Sequence, residues 1–143
     1  MTLETQAIIA VISSGLFVVC LFLLKKLPKR LKIDRFVNDW KDLQSFCKDR
    51  TTWPRALSDA DKLLDNALKK RKFRGKSMGE RLVSAQRSFT DNDGVWTAHN
   101  LSKKVLQGSI KSLREPDVKA ALIAYRQALK DIGALPNGQS KNF

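Results

Sequence analysis

The sequence predicts an all-α protein in which one N-terminal transmembrane helix is followed by an antiparallel bundle of about five helices. Two observations indicate this fold class. Residues 7–24 read AIIAVISSGLFVVCLFLL, an uncharged apolar stretch that is about 27 Å long as a helix, close to the hydrocarbon thickness of a bilayer. In the rest of the chain, apolar residues recur at helical spacing between turns rich in Gly, Pro and Asp, and no strand pattern occurs.

The flanks of this stretch favour an uncleaved anchor of defined orientation. Residues 1–6 contain Glu4 but no Lys or Arg, so they lack the positive region that begins a signal peptide, and no A-x-A cleavage site follows. Positive charge stays on the cytoplasmic side, which predicts that the N-terminus faces out and the domain faces the cytoplasm. The juxtamembrane cations are Lys25, Lys26, Lys29, Arg30, Lys32 and Arg35.

These features divide the chain into five segments. We expect a short extracytoplasmic N-terminus at 1–6, the transmembrane helix at 7–24 and a basic juxtamembrane linker at 25–35. A cytoplasmic helical domain is expected over 36–133, and a disordered tail over 134–143.

The domain begins with two amphipathic helices. The first spans about 36–50, with Asp34 as its N-cap. The second runs from Trp53 to about Arg71, with Pro54 in its first turn. Its apolar stripe is the widest in the chain, which predicts that it is the central packing helix.

The third helix is preceded by a capping box. Ser77 and Glu80 have the spacing at which the two side chains satisfy each other's backbone N–H groups. Leu82, Val83 and Ala85 are expected to form the apolar face of this helix.

Two more helices complete the predicted bundle. The fourth spans about 95–107, between the turn 90–94 and Gly108. The fifth opens at Glu115-Pro116-Asp117 and is stopped by Gly133.

Charge gives the clearest indication of partners. The chain has 27 basic and 14 acidic residues, a net charge of +13, which favours lipid headgroups, nucleic acid or an acidic protein. The candidate binding residues lie in two basic stretches, although such runs also occur as solvated loops. Short connections make neighbouring helices antiparallel, so both stretches are expected at the membrane-proximal end and the acidic turn 91–93 at the distal end. The candidates are Lys69, Lys70, Arg71, Lys72, Arg74, Lys76, Lys103 and Lys104.

The sequence contains no strong catalytic or metal-binding motif. Its single histidine, His99, is either an acid/base group or a buried structural residue. Asp61 lies at the edge of an apolar stripe, where it is either a perturbed carboxylate in a site or, as is more common, a partner of Arg81, Lys104 or His99. Cys20 and Cys47 lie in separate helical segments and give no disulfide framework, and we expect no metal and no cofactor.

Several segments of the domain resemble a known group of proteins. The segments are WPRA at 53–56, ADKLLD at 60–65, GKSMGERL at 75–82 and WTAH at 96–99. They resemble small bacterial proteins with one N-terminal span and a helical cytoplasmic domain, and these in turn resemble HEPN domains, some of which are ribonucleases. The resemblance implies a helical fold, but the Arg and His of the ribonuclease motif would fall on Ser102 and Gln107.

These observations predict a non-enzymatic interaction module anchored in a bacterial plasma membrane. Its basic loops would face anionic lipid headgroups or an acidic protein, and no small-molecule substrate is indicated. Two alternatives stay open. One is a HEPN-like domain that binds RNA or a nucleotide without nuclease activity, and the other is an enzyme that uses His99.

Overall fold

The computed structural model describes residues 2–26 and 32–138, and these residues form an all-α structure. A long apolar helix is followed by a helical bundle, so the predicted fold class is confirmed. Two short 3-10 turns, Arg50–Thr52 and Gln86–Ser88, join the longer elements. The helices are α1 (Leu3–Lys26), α2 (Ile33–Ser45), α3 (Trp53–Lys70), α4 (Met78–Ala85), α5 (Asn92–Leu106) and α6 (Glu115–Asp131).

Helix α1 is longer than the predicted apolar stretch. The part from Leu3 to Lys25 has a mean hydropathy of 2.8 and is long and apolar enough to cross a membrane. Its apolar side chains are exposed, which costs free energy in water but not in hydrocarbon. Of the predicted juxtamembrane cations, Lys29 and Arg30 lie outside the described residues.

Helices α2, α3, α5 and α6 alternate in direction. The Lys70 ammonium lies 5.3 Å from the centre of the Phe36 ring, so α3 ends beside the start of α2. At this same end, Arg71 Nε donates to the carbonyl oxygen of Ile132 (2.7 Å) and the Thr90 amide donates to Asp131 Oδ2 (2.8 Å). We call it the leading end, because α2 begins there, and the opposite end the far end.

Helix α3 lies at the centre of the bundle, as its wide apolar stripe predicts. It contacts α2, α4, α5 and α6, and Leu57, Leu64 and Leu68 on it are fully buried. Each such leucine contributes about 1.5–3 kcal/mol on burial, so α3 is the main element that holds the other helices together.

The boundaries of α2 differ from those predicted. Asp34 lies within the first turn of α2 rather than at its cap, and the N-cap residue Lys32 makes no side-chain capping bond. The helix ends at Ser45 instead of Arg50. Asp49 accepts a hydrogen bond from the Thr51 amide and so caps the following 3-10 turn, an alternative for the backbone that ends the helix early.

The predicted placement of the basic stretches at one end of the bundle is wrong. Helix α4 has 8 residues against 18 in α3, about 12 Å against about 27 Å, so it does not cross the bundle. Helix α5 therefore starts at the leading end, where the acidic turn 91–93 lies together with the stretch 69–76. Lys103 and Lys104 lie at the far end, where Arg50 Nη2 also contacts the carbonyl oxygen of Leu113 (3.4 Å).

The helical domain extends beyond the predicted boundary at residue 133. Ala134 and Leu135 are buried, and their amides donate to the carbonyl oxygen of Leu129 at 2.8 and 3.2 Å. These two residues belong to the core rather than to a disordered tail. Residues 139–143 of that predicted tail lie outside the described part of the chain.

Candidate anion-binding site

A basic depression lies between the end of α3 and the start of α4, which we call the α3–α4 cleft. Its volume is about 700 Å³. The lining contains five cationic side chains and one carboxylate, so the local charge is strongly positive. The lining residues are Lys69, Lys72, Phe73, Arg74, Gly75, Lys76, Glu80 and Arg81.

The cleft exists because α3 ends abruptly at its C-terminus. Lys72 adopts a left-handed backbone conformation with φ of 63°, and the Phe73 amide donates to the carbonyl oxygen of Leu68 (3.1 Å). This is the Schellman arrangement that terminates many helices. The Phe73 side chain packs against the hydrophobic core, which leaves the charged side chains on either side of it exposed.

Hydrogen bonds fix the loop that follows against α4. The Arg74 amide donates to Ser84 Oγ (3.2 Å), and the Lys76 amide donates to Glu80 Oε2 (2.6 Å). Ser77 Oγ accepts from the Glu80 amide (3.2 Å), as the capping box predicts. The reciprocal bond differs from that of a capping box, because the Glu80 carboxylate binds the amide of Lys76 rather than that of Ser77. The cationic loop is therefore held in one backbone conformation.

Arg81 is the least exposed cation of the cleft, with only 7% of its surface accessible. Its Nε donates to Asp65 Oδ1 (2.6 Å) and its Nη1 to the carbonyl oxygen of Gly75 (2.7 Å). Lys69 Nζ lies 2.9 Å from the other oxygen of Asp65. Burial acts to raise the pKa of Asp65, but the hydrogen bonds and charges of Arg81 and Lys69 outweigh it and hold that pKa below its ordinary value.

The structure separates the predicted basic candidates into groups. Lys72, Arg74 and Lys76 are exposed, and their side chains make no hydrogen bond or ion pair within the described residues, so these side chains are free to contact a ligand. Lys70 lies over the Phe36 ring and Arg71 binds the end of α6, so both serve the fold. Lys103 and Lys104 are exposed at the far end and are not part of the cleft.

A second polar cluster lies inside the bundle. Asp61 Oδ1 accepts hydrogen bonds from His99 Nδ1 (2.8 Å) and from the Tyr125 hydroxyl (2.9 Å). Of the three expected partners for Asp61, the structure selects His99, with the ring proton placed on Nδ1. Arg81 is not part of this cluster, because it binds Asp65.

Burial limits the chemistry that this cluster can perform. His99 is 6% exposed and Tyr125 is fully buried, and neither lines the α3–α4 cleft. Burial and the adjacent Asp61 carboxylate raise the pKa of Tyr125, which keeps its hydroxyl protonated, while the nearby Ser102 acts in the opposite direction. Within the described residues, no group of three or more His, Cys, Asp and Glu side chains is placed to hold a metal ion.

Sequence reasoning missed Asp65 and Tyr125. Asp65 lies four residues before Lys69, a spacing that indicates a helical ion pair and was available in the sequence. Its stronger contact with Arg81 joins two helices and has no local signature. Tyr125 is the only tyrosine of the chain, and its place in an apolar stripe indicated burial without indicating Asp61.

No protein-family model, curated protein or solved structure matches this chain.

Proposed function

We propose that this protein is a non-enzymatic interaction module of a bacterial plasma membrane, anchored by α1, which docks on anionic lipid through its leading end. The observation that carries the proposal is the contact between Lys70 and Phe36. It places the basic stretch 69–76 beside the beginning of α2, where the chain comes from α1.

The length of the connection supports a membrane-facing leading end. Residues 27–32 are the six residues between α1 and α2, and a chain of this length reaches at most about 25 Å. If α1 spans the bilayer, the start of α2 cannot move farther than this from the end of α1. The far end lies about 27 Å from the leading end, because α3 with its 18 residues connects the two ends.

The charges of the leading end support attraction to an anionic surface. Lys72, Arg74 and Lys76 are unpaired within the described residues, and each basic residue near such a surface contributes about 1 kcal/mol before screening by salt. The acidic turn at the same end opposes this attraction, although Asp91 Oδ1 accepts the Gly94 amide (2.9 Å) and its charge lies at the positive N-terminal end of α5. A short tether raises the effective concentration at which the three free cations act, which supports docking.

Orientation is tested by labelling single cysteines in intact cells. In a variant with Cys20→Ala and Cys47→Ser, we expect Thr2→Cys to react with a membrane-impermeant thiol reagent. Ser109→Cys, which is exposed on the domain, should react only after the cells are permeabilised. The reverse labelling would place the domain outside and would contradict the charge rule on which the orientation rests.

Docking is tested by energy transfer in lipid nanodiscs. Dyes on Ser88→Cys at the leading end and Ser109→Cys at the far end are compared as donors to an acceptor lipid. With anionic discs at low salt, we expect stronger transfer from position 88 than from position 109, and a smaller difference in neutral discs or at high salt. Equal transfer from both positions in anionic discs would exclude docking by the leading end.

Assays of RNA binding and RNA cleavage distinguish this proposal from its two alternatives. The purified full chain should neither cleave RNA nor prefer RNA over anionic lipid at equal ionic strength. Tight RNA binding that persists in neutral discs would favour the HEPN-like nucleic-acid alternative. Cleavage that is lost in His99→Ala would favour an enzyme instead.

A further inference from the structure

The α3–α4 cleft contains the guanidinium of Arg81, which is held in place by two hydrogen bonds and has further N–H donors without a partner among the described residues. Asp65 and the carbonyl oxygen of Gly75 hold two N–H groups of Arg81 at 2.6 and 2.7 Å. A guanidinium has five N–H donors, so three of those of Arg81 have no partner in the described part of the chain. No unpartnered atom of this guanidinium is buried away from solvent, and Arg81 lines a depression that a ligand can occupy.

The free cations of the loop surround the same depression. Lys72, Arg74 and Lys76 line it, and the backbone amides of Arg74 and Lys76 are bonded to Ser84 and Glu80 on α4. Because the loop is already ordered, a ligand does not have to supply the free energy of ordering it.

The composition of the lining favours a doubly charged anion with several acceptor oxygens. Five cationic side chains line the cleft with one carboxylate, that of Glu80. Two of the five, Lys69 and Arg81, pair with Asp65, which leaves Lys72, Arg74 and Lys76 as the unpaired excess of positive charge within the described residues. A carboxylate ligand brings one negative charge, whereas a phosphate monoester brings about −1.5 to −2 and three acceptor oxygens. Arginine N–H groups match phosphate oxygens in geometry.

We propose that the α3–α4 cleft is a binding site for a phosphate group, in which Arg81 donates from the protein side and Lys72, Arg74 and Lys76 close around the ligand. The group belongs either to a lipid headgroup or to a soluble phosphate. The lipid source rests on the proposed function, whereas the site itself does not, since it requires only the geometry of the cleft.

The site is tested on the full chain in zwitterionic detergent micelles. Inorganic phosphate is titrated against chloride at constant ionic strength, and the backbone amides of residues 72–77 and the Nε–H of Arg81 are followed by NMR. We expect saturable shifts at these groups and none at the amides of 103–106. Shifts that do not saturate, or that are equal at both ends of the bundle, would overturn the site.

Two charge-matched variants separate a site from a diffuse positive potential. The first combines Lys72→Ser, Arg74→Ser and Lys76→Ser, and the second combines Lys103→Ser, Lys104→Ser and Lys111→Ser. We expect the dissociation constant for phosphate to rise at least tenfold in the first and less than twofold in the second. An equal rise in both would show that net charge alone is responsible.

Arg81→Lys tests the guanidinium itself. It keeps the positive charge beside Asp65 but removes the spare donors. We expect weaker phosphate binding in a protein that still folds, with a lower thermal midpoint because lysine cannot reproduce the forked contacts with Asp65 and the Gly75 carbonyl oxygen. Unchanged binding in a folded Arg81→Lys protein would remove Arg81 from the site.

Nanodiscs distinguish the two sources of the phosphate. Discs with phosphatidic acid, a phosphate monoester, are compared with phosphatidylserine discs of equal surface charge. A rise in the apparent dissociation constant for inorganic phosphate only with phosphatidic acid identifies the lipid headgroup, and no rise with either lipid identifies a soluble phosphate. Docking by energy transfer without saturable phosphate binding would overturn the site and leave the proposed function standing. Saturable phosphate binding without docking would support the site and overturn the proposed function.

Discussion

Lys72 occupies a position that glycine occupies elsewhere in the same bundle. Helices α3, α5 and α6 each end with an amide that donates to a carbonyl five residues back, from Phe73, Ser109 and Ala134 at 2.8–3.1 Å. The left-handed residue is Gly108 in α5 and Gly133 in α6, but Lys72 in α3. A side chain in this conformation costs about 1–2 kcal/mol, and such strain is often found at functional sites. At this position the chain therefore keeps a cation in a conformation that glycine would adopt without strain.

Replacing this lysine with glycine should stabilise the protein. We expect Lys72→Gly to raise the free energy of unfolding by about 1 kcal/mol, because glycine adopts the left-handed conformation without strain. The measurement is urea unfolding of the full chain in zwitterionic micelles. Lys103→Gly within α5 is the control and should lower stability by a similar amount. No gain from Lys72→Gly would show that the lysine is not strained.

Asp65 should make stability depend on pH in the acid range. Its pKa is lowered in the folded state, so it contributes stability above the pKa of the unfolded chain, about 3.9. That contribution is lost as the pH falls through the folded pKa. We expect wild type to lose stability below about pH 4, and Asp65→Asn to be less stable than wild type at pH 7 with a shallower acid loss.

The matched control for Asp65 is Asp39→Asn. Asp39 lies 4.0 Å from Arg35, and both side chains are about half exposed or more, so this pair should contribute little. Equal effects of the two substitutions at pH 7 would contradict a special role for the contact between Asp65 and Arg81.

Contacts between residues were only partly predictable from the sequence. His99 was one of three expected partners of Asp61, because spacing along a helix shows which face a residue occupies but not what faces it. The pairing of Arg81 with Asp65 depends on how α4 packs on α3, and a single sequence carries no local signal for that packing.

At the level of elements, the presence of each helix could be predicted from the sequence, but the length of each helix could not. The five helices of the bundle follow from apolar spacing and from turn residues, which are local properties. The capping box of Ser77 located the start of α4, but its end is set by the 3-10 turn Gln86–Ser88 and by burial of Phe89. The short α4 then reversed the expected positions of the acidic turn and of Lys103 and Lys104.

Two aliphatic residues on neighbouring helices differ in burial, and substitutions at them test which helix faces form the core. Leu64 on α3 is fully buried, whereas Val83 on α4 is 54% exposed although its helix was expected to bury it. We expect Leu64→Ala to cost about 2–5 kcal/mol of stability, because it leaves a cavity. Val83→Ala should change stability by less than about 0.5 kcal/mol. Equal losses would show that α4 buries the face that the structure exposes.

At the scale of the whole molecule, a short connection limits the distance between α1 and the leading end of the bundle. The six residues 27–32 keep the leading end within about 25 Å of α1. In the proposed docking, a weak attraction between a few cations and anionic lipid would act at a high effective concentration. The apolar helix and the basic stretch are both evident in the sequence, but only the fold shows that the basic stretch lies beside the start of α2.

Lengthening this connection should therefore weaken docking without changing the cleft. A flexible Gly/Ser segment inserted within 27–32, which makes the connection five times longer, should lower the effective concentration about tenfold, since it falls as the −3/2 power of length. We expect undocking at lower salt in the energy-transfer measurement from position 88, while phosphate titration in micelles is unchanged. The same segment added after Phe143 is the control and should alter neither. If the inserted segment leaves the undocking salt concentration unchanged, tethering does not supply the docking affinity, and the cleft must bind lipid strongly enough by itself.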